Sequence, residues 1–216
     1  MNRKIKILLW ILAIVLLISA AAAIIVKNKK EGSTYFYNGR TDKFAFQIVR
    51  NDNSTQHFIK VYITLQGKEQ ERVLPFDYGP KELENIPLEN EIYKKVLGRN
   101  IAKKFLYITQ DPKLINQTQV DSVIAVQDIA KVTGQAPYSV FQIPTKAAYT
   151  YNDSNSQLAE FIDCKYASSG IGVILLKLGE ETRVYGENEC VIVEGKNGKE
   201  IRKAATKLVY HLLGVF

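Results

Sequence analysis

The chain has 216 residues, 29 lysines and arginines against 22 acidic residues, and a formal net charge of +7. Six of those basic residues and no acidic ones fall within residues 1–30, and removing them from 29 leaves 23 against 22, so the remainder is close to neutral. No basic stripe is left to displace counterions from a nucleic acid, and two cysteines with two isolated histidines offer no paired zinc-ligand spacing. Partners of the nucleic-acid class, and cofactors in general, are therefore not predicted.

Residues 7–26 are twenty uncharged, nearly all apolar positions between Arg3, Lys4, Lys6 on one side and Lys27, Lys29, Lys30 on the other. A helix of that length covers roughly the 30 Å hydrocarbon core with its backbone hydrogen bonds closed internally. Small residues at 19–23 fit a cleaved signal, but Ile24, Ile25 and Val26 extend the run beyond a usual signal core, which favours an uncleaved signal-anchor. The flanking side-chain charges tie. The free amino terminus tips the orientation toward a cytoplasmic tail of residues 1–6, a transmembrane helix at 7–26, a tether at 27–38 and an extracytoplasmic domain at 39–216, with sub-lobes at 39–99 and 100–216. Localisation to the cell membrane as a single-pass protein follows.

The expected fold of that domain is α+β. Alternating residues at 43–49 and 57–65, separated by Asn51-Asp52-Asn53-Ser54, predict a hairpin, and 72–76 a third strand ended by Pro75 and a turn at 77–80. A helix at 90–97 closes at Gly98, and a short strand at 105–109 runs into Asp111-Pro112. Thr118 and Asp121 have capping-box spacing. They predict the start of a longer helix, apolar on a wide arc through Val120, Val123, Ile124, Val126, Ile129 and Ala130 and stopped by Gly134. A strand at 138–143 would complete a β-α-β crossover in a partly parallel sheet. Strands at 173–178, 182–185 and 190–194 predict an antiparallel meander. The closing helix spans 198–213, starts at Asn197 or Gly198, and has Lys199, Arg202, Lys203 and Lys207 facing water.

Cys164 and Cys190 each lie in an apolar strand-like run, and an even count in an exported domain predicts one disulfide; two buried thiols in a reduced core is the alternative. Asn53, Asn116 and Asn152 begin Asn-x-Ser/Thr sequons and are candidate glycosylation acceptors. Tyr149, Tyr151 and Tyr166 flank the polar stretch 152–157 and form a candidate binding patch for a sugar or a partner peptide. Gly170-Ile171-Gly172 precedes a strand and reads as a turn, not a phosphate loop. No Gly-x-Ser-x-Gly, Walker or His-Glu-x-x-His motif occurs, and a cysteine nucleophile would need His57 or His211 as its base. Asp77, Asp111 and Asp163 sit at predicted strand ends, where carboxylates cap turns or do acid-base work.

The run Cys190-Val191-Ile192-Val193-Glu194-Gly195, the helix after it and the ending Leu213-Gly214-Val215-Phe216 resemble the end of uncharacterised membrane-anchored exported proteins of archaea. The strand before Asp111-Pro112 and the segment 143–150 leading to Cys164 are similar to the same group, so the resemblance covers roughly residues 100–216. It implies an envelope-facing domain with a cysteine pair and carries no catalytic residue. The function expected is an anchored interaction or structural component of the cell envelope, with an envelope protein or carbohydrate as partner. An anchored hydrolase using strand-end carboxylates is the alternative.

Overall fold

The computed structural model describes residues 32–40, 42–52, 54–98, 102–135, 137, 139–150 and 160–216, with no side chains described at 115–119. Four strands, β1 (Gly32–Asn38), β2 (Lys43–Asn51), β3 (Ser54–Leu65) and β4 (Lys68–Phe76), form an antiparallel sheet in that order. Residues 32–38, expected as the end of a tether, instead pair with β2 along their whole length. The reason is their alternation. Tyr35 and Tyr37 pack against the core while Phe36 points outward and is exposed. Pro75 lies in β4, at the sheet edge, where its missing N–H interrupts no ladder.

Two short helices, α1 (Pro80–Leu83) and α2 (Ile92–Leu97), lead to the second sheet. Its strands are β5 (Phe105–Gln110), β6 (Thr145–Tyr149), β7 (Glu160–Phe161), β8 (Ile171–Leu178), β9 (Arg183–Glu187) and β10 (Cys190–Gly195), in the order β7-β6-β5-β8-β10-β9. All neighbours are parallel except β10 and β9. The two longer helices are α3 (Pro112–Thr133) and α4 (Gly198–Leu212). The fold is thus α+β, with an antiparallel sheet, a mixed sheet and a C-terminal helix.

The β5-α3-β6 crossover is present, but its boundaries differ from the sequence reading. Helix α3 starts at Pro112, not near Thr118, because the Asp111 side chain accepts the Lys113 N–H at 2.8 Å and proline suits the first helical turn. Asp121, read as a cap residue, faces α4 and pairs with Arg202 at 3.3 Å. Val120 and Val123 are exposed, so the broad apolar arc of α3 is not fully covered. The stretch expected as a strand at 138–143 wraps the end of α3 instead, with Val140 and Phe141 both donating to the Val132 carbonyl. The strand itself is β6, at Thr145–Tyr149.

The C-terminal meander is corrected as well. β10 inserts between β8 and β9, parallel to the first and antiparallel to the second. Burial explains the order: every residue of β10 is buried, as an interior strand requires, whereas β9 is half exposed and takes the edge.

Helix α4 is the centre of the molecule, not a lid. On one side it meets Val191 and Val193 of β10; on the other its Tyr210 ring packs edge-on against Phe46 and Phe76 of the first sheet, at centroid distances of 5.5 and 5.1 Å. Tyr210 also donates its hydroxyl to the Tyr78 carbonyl at 2.9 Å, satisfying the polar tip of a fully buried side chain. The face expected to meet water is covered by the chain that joins the two sheets and by the C-terminal residue: Arg202 and Lys203 lie at Tyr78, Lys207 lies against the Phe216 ring and His211 beside Tyr93, so Lys207 and His211 are buried, and Arg202 and Lys203 only half exposed. One continuous core therefore joins both sheets, and the suggested sub-lobes share it. Among the described residues no helix is long and apolar enough to cross a membrane; the predicted span at 7–26 lies outside them.

Candidate functional site

Strand alternation gives the six-stranded sheet an inner face toward α3 and α4 and an outer face built on a second apolar cluster of Ala148, Ile162, Val173, Cys190 and Ile192. The 160–170 segment crosses this outer face. It is held there by a disulfide between Cys164, in a short 3-10 turn (Cys164–Tyr166), and Cys190, the first residue of β10, with Cα atoms 5.2 Å apart. Cys164 was expected in a strand. Asp163 breaks that run: its side chain accepts the Lys165 N–H at 3.0 Å and starts the turn. Thr109 fixes the same segment from below by donating to the Ile162 carbonyl at 2.7 Å.

Two residues of the predicted tyrosine patch, Tyr149 and Tyr166, lie among the described residues. Tyr149 stands opposite Phe161 in the β6–β7 register, and the Lys165 ammonium lies 5.4 Å from the ring centroids of both Phe161 and Tyr166. Phe161 and Lys165 thus join Tyr149 and Tyr166 at the sheet edge, two residues the composition of the tyrosine cluster did not single out. Tyr151 lies outside the described residues, as do Asn53 and Asn152. Asn116 falls within α3, and its side chain is not described.

The three carboxylates expected at strand ends each have a local partner. Asp77 pairs with Arg202, which also reaches Asp121 and lies over the Tyr78 ring, so it ties the end of β4 to both long helices. Asp111 caps α3, and Asp163 caps the 3-10 turn while pairing with Lys165 at 3.3 Å. The two cysteines are bonded to each other, which removes the cysteine-nucleophile reading of His57 and His211.

Sequence reasoning missed two polar clusters. Glu194, alternating with Cys190 and Ile192, is buried on the outer face, where its Oε2 accepts from Tyr185 at 3.0 Å and faces Arg183 at 3.4 Å and Lys177 at 3.9 Å. The second joins three elements of the first half. His57 Nε2 lies 3.3 Å from Glu82 Oε1, which fixes the proton on that nitrogen, so Nδ1 accepts from the Tyr35 hydroxyl at 3.1 Å. Burial lowers the His57 pKa against the pull of Glu82, and burial followed by the Glu82 charge pushes Tyr35 up to about 12. Gly79 closes over this ring: a Cβ there would stand 2.7 Å from His57 Cε1. The arrangement holds a neutral imidazole between a phenol and a carboxylate. Glu82 also borders an open cleft of about 690 Å³ over the start of α4, with Glu181, Glu200, Lys196 and Lys203 around it.

No protein-family model matches the chain, and no curated protein matches it. Among solved structures, metalloproteinase-II from Bacteroides fragilis aligns over 90% of this chain and 84% of its own, at 10% identity and a TM-score of 0.30. A superposition that loose carries no inference about fold or chemistry. Among the described residues, no three His, Cys, Asp or Glu side chains converge to hold a metal ion.

Proposed function

We propose that this protein is a single-pass membrane-anchored extracytoplasmic domain with an interaction or structural role in the cell envelope, as the resemblance of residues 100–216 to anchored archaeal exported proteins implies. The observation that carries the reading is the Cys164–Cys190 bond, because such bonds persist in oxidising compartments and are rare in reducing ones. The apolar run at 7–26 between two basic clusters supports the anchor. The Phe161, Lys165 and Tyr166 edge, with Tyr149 beside it, is the surface offered to an envelope protein or carbohydrate, since exposed aromatic rings with a cation stack on either.

The test is maleimide-PEG labelling of the two cysteines in intact cells. Labelling that appears only after a membrane-impermeant reductant is added supports a bridged domain outside the cytoplasm. Thiols that react only after permeabilisation and denaturation, without reductant, would place the domain in the cytoplasm and overturn the reading.

A further inference from the structure

Alternation along β1–β4 gives the four-stranded sheet two unlike faces. Phe46, Ile59, Leu74 and Phe76 are buried on the inner one. The outer face is apolar as well, with Phe36 on β1, Phe58 and Tyr62 on β3, and Val73 and Pro75 on β4. In register across the sheet Phe36 stands opposite Ala45, Phe58 opposite Pro75 and Val73 opposite Lys60, so the patch reaches from one edge strand to the other. Phe36, Tyr62 and Val73 are 60%, 62% and 48% exposed, three of the seven large apolar side chains left in solvent among the described residues. A continuous apolar surface of this kind marks a contact face.

Charge and chain length select what covers it. The charged side chains of the outer face are Lys43 and Lys60 against Glu69 and Glu71, a balanced set in which Lys43 Nζ lies 4.8 Å from the Phe36 ring centroid and Lys60 pairs with Glu71 at 3.0 Å. A polyanion gains nothing there, whereas aromatic rings beside balanced charges suit a zwitterionic headgroup layer, the depth at which amphipathic rings settle in a bilayer. Val26, the last residue of the apolar run, and Gly32, the first of β1, are six Cα steps apart, about 21 Å when fully extended. The headgroup region takes up roughly 5–8 Å of that reach, so β1 begins within roughly 15 Å of the lipid surface. Edge-on, β4 would stand a further 14 Å or so out and leave Tyr62 and Val73 in water. We propose that the outer face of the four-stranded sheet lies flat on the headgroup layer of the membrane that holds residues 7–26, with Phe36, Phe58, Tyr62 and Val73 against the lipid. The docking rests on the anchored reading above and adds to it the orientation of the domain. The open backbone edge of β1 keeps the sheet in the headgroup layer, because its free N–H and C=O groups would be unsatisfied in hydrocarbon.

The full chain, with Trp10→Phe removing its single tryptophan, is placed in phosphatidylcholine nanodiscs with one reporter at an exposed position: Phe36→Trp, Val73→Trp or, on the outer face of the other sheet beyond α4, Tyr166→Trp. Lipid brominated on its upper acyl carbons quenches indole rings at the headgroup boundary. The expected result is an emission loss of about twofold at both Phe36→Trp and Val73→Trp and little loss at Tyr166→Trp. Adding Phe36→Ser and Tyr62→Ser to Val73→Trp should restore its emission, because the tether by itself does not hold β4 down. Chain that fails to migrate with the discs overturns the anchor and the docking together. Chain that migrates with them but is quenched at Phe36→Trp alone, at all three positions alike, or at none overturns the docking only; the last of these leaves the face to a protein partner. Quenching of Val73→Trp that survives the double serine substitution also overturns it.

Discussion

Removing the Cys164–Cys190 bond should destabilise the domain by about 3.5 kcal/mol. The bond spans 26 residues, and the chain-entropy relation for a loop of that length gives roughly 12 cal/mol/K, or about 3.5 kcal/mol at 25 °C. The loop contains β8 and β9, so the cross-link restricts two strands of the six-stranded sheet in the unfolded chain while adding no new apolar burial of its own. For a domain of this size the loss corresponds to a fall in Tm of roughly 7–14 °C. The measurement is thermal and urea unfolding followed by circular dichroism, on the oxidised protein, the same protein with a phosphine reductant, and the Cys164→Ala/Cys190→Ala variant. Reduced and double-alanine proteins should agree to within about 1 kcal/mol, because Cys190 is fully buried and its truncation leaves only a small cavity. A difference under about 1 kcal/mol between oxidised and reduced protein would refute the entropic reasoning, as would a changed m-value that locates the effect in a restructured folded state.

Gly195→Ala should cost about 2–3 kcal/mol, since a Cβ at the end of β10 would stand 2.5 Å from the Ile201 nitrogen, a backbone atom that cannot move aside; a denaturation midpoint equal to that of the unmodified protein would contradict the contact. Tyr210→Phe should lose about 1–1.5 kcal/mol by leaving the Tyr78 carbonyl without its donor while keeping the ring packing, and an unchanged urea midpoint would show that water replaces the hydroxyl. Acidification should weaken the fold as well. Burial lowers the pKa of both His57 and His211, so the unfolded chain takes up protons first; stability is intact above the ordinary histidine value of about 6.5 and falls progressively below it. Melting between pH 7 and 5 should show that decline, and His57→Gln should flatten part of it; an identical slope in the variant would rule out His57 as a contributor.

Strands β2–β4, β5, β8–β10 and both long helices were legible in the sequence because their signals are local: alternation along a strand, a three-and-four repeat along a helix, and glycine, proline or asparagine at the ends; β1, read as a tether, was not. The cysteine pairing was legible by count. The start of α3 was readable in principle from Asp111-Pro112, a cap residue followed by proline, but the same dipeptide also ends strands, and the choice needed the Lys113 hydrogen bond. Tyr149 and Tyr166 were found as residue types; Phe161 and Lys165 belong beside them only because the disulfide draws the 3-10 turn to the edge of β7.

What the sequence determined by itself is the α+β class, the apolar run at 7–26, the near-neutral charge of the rest and the single cysteine pair, because each of these depends on neighbours in the chain or on composition. Tertiary structure alone decided that β10 enters between β8 and β9, that α4 lies between two sheets, and that Lys207, His211 and Glu194 are buried. Those outcomes rest on which faces meet across long sequence separations. A lysine on the polar side of an amphipathic helix carries no local mark that a connecting segment more than a hundred residues earlier in the chain, together with the Phe216 ring, will cover it.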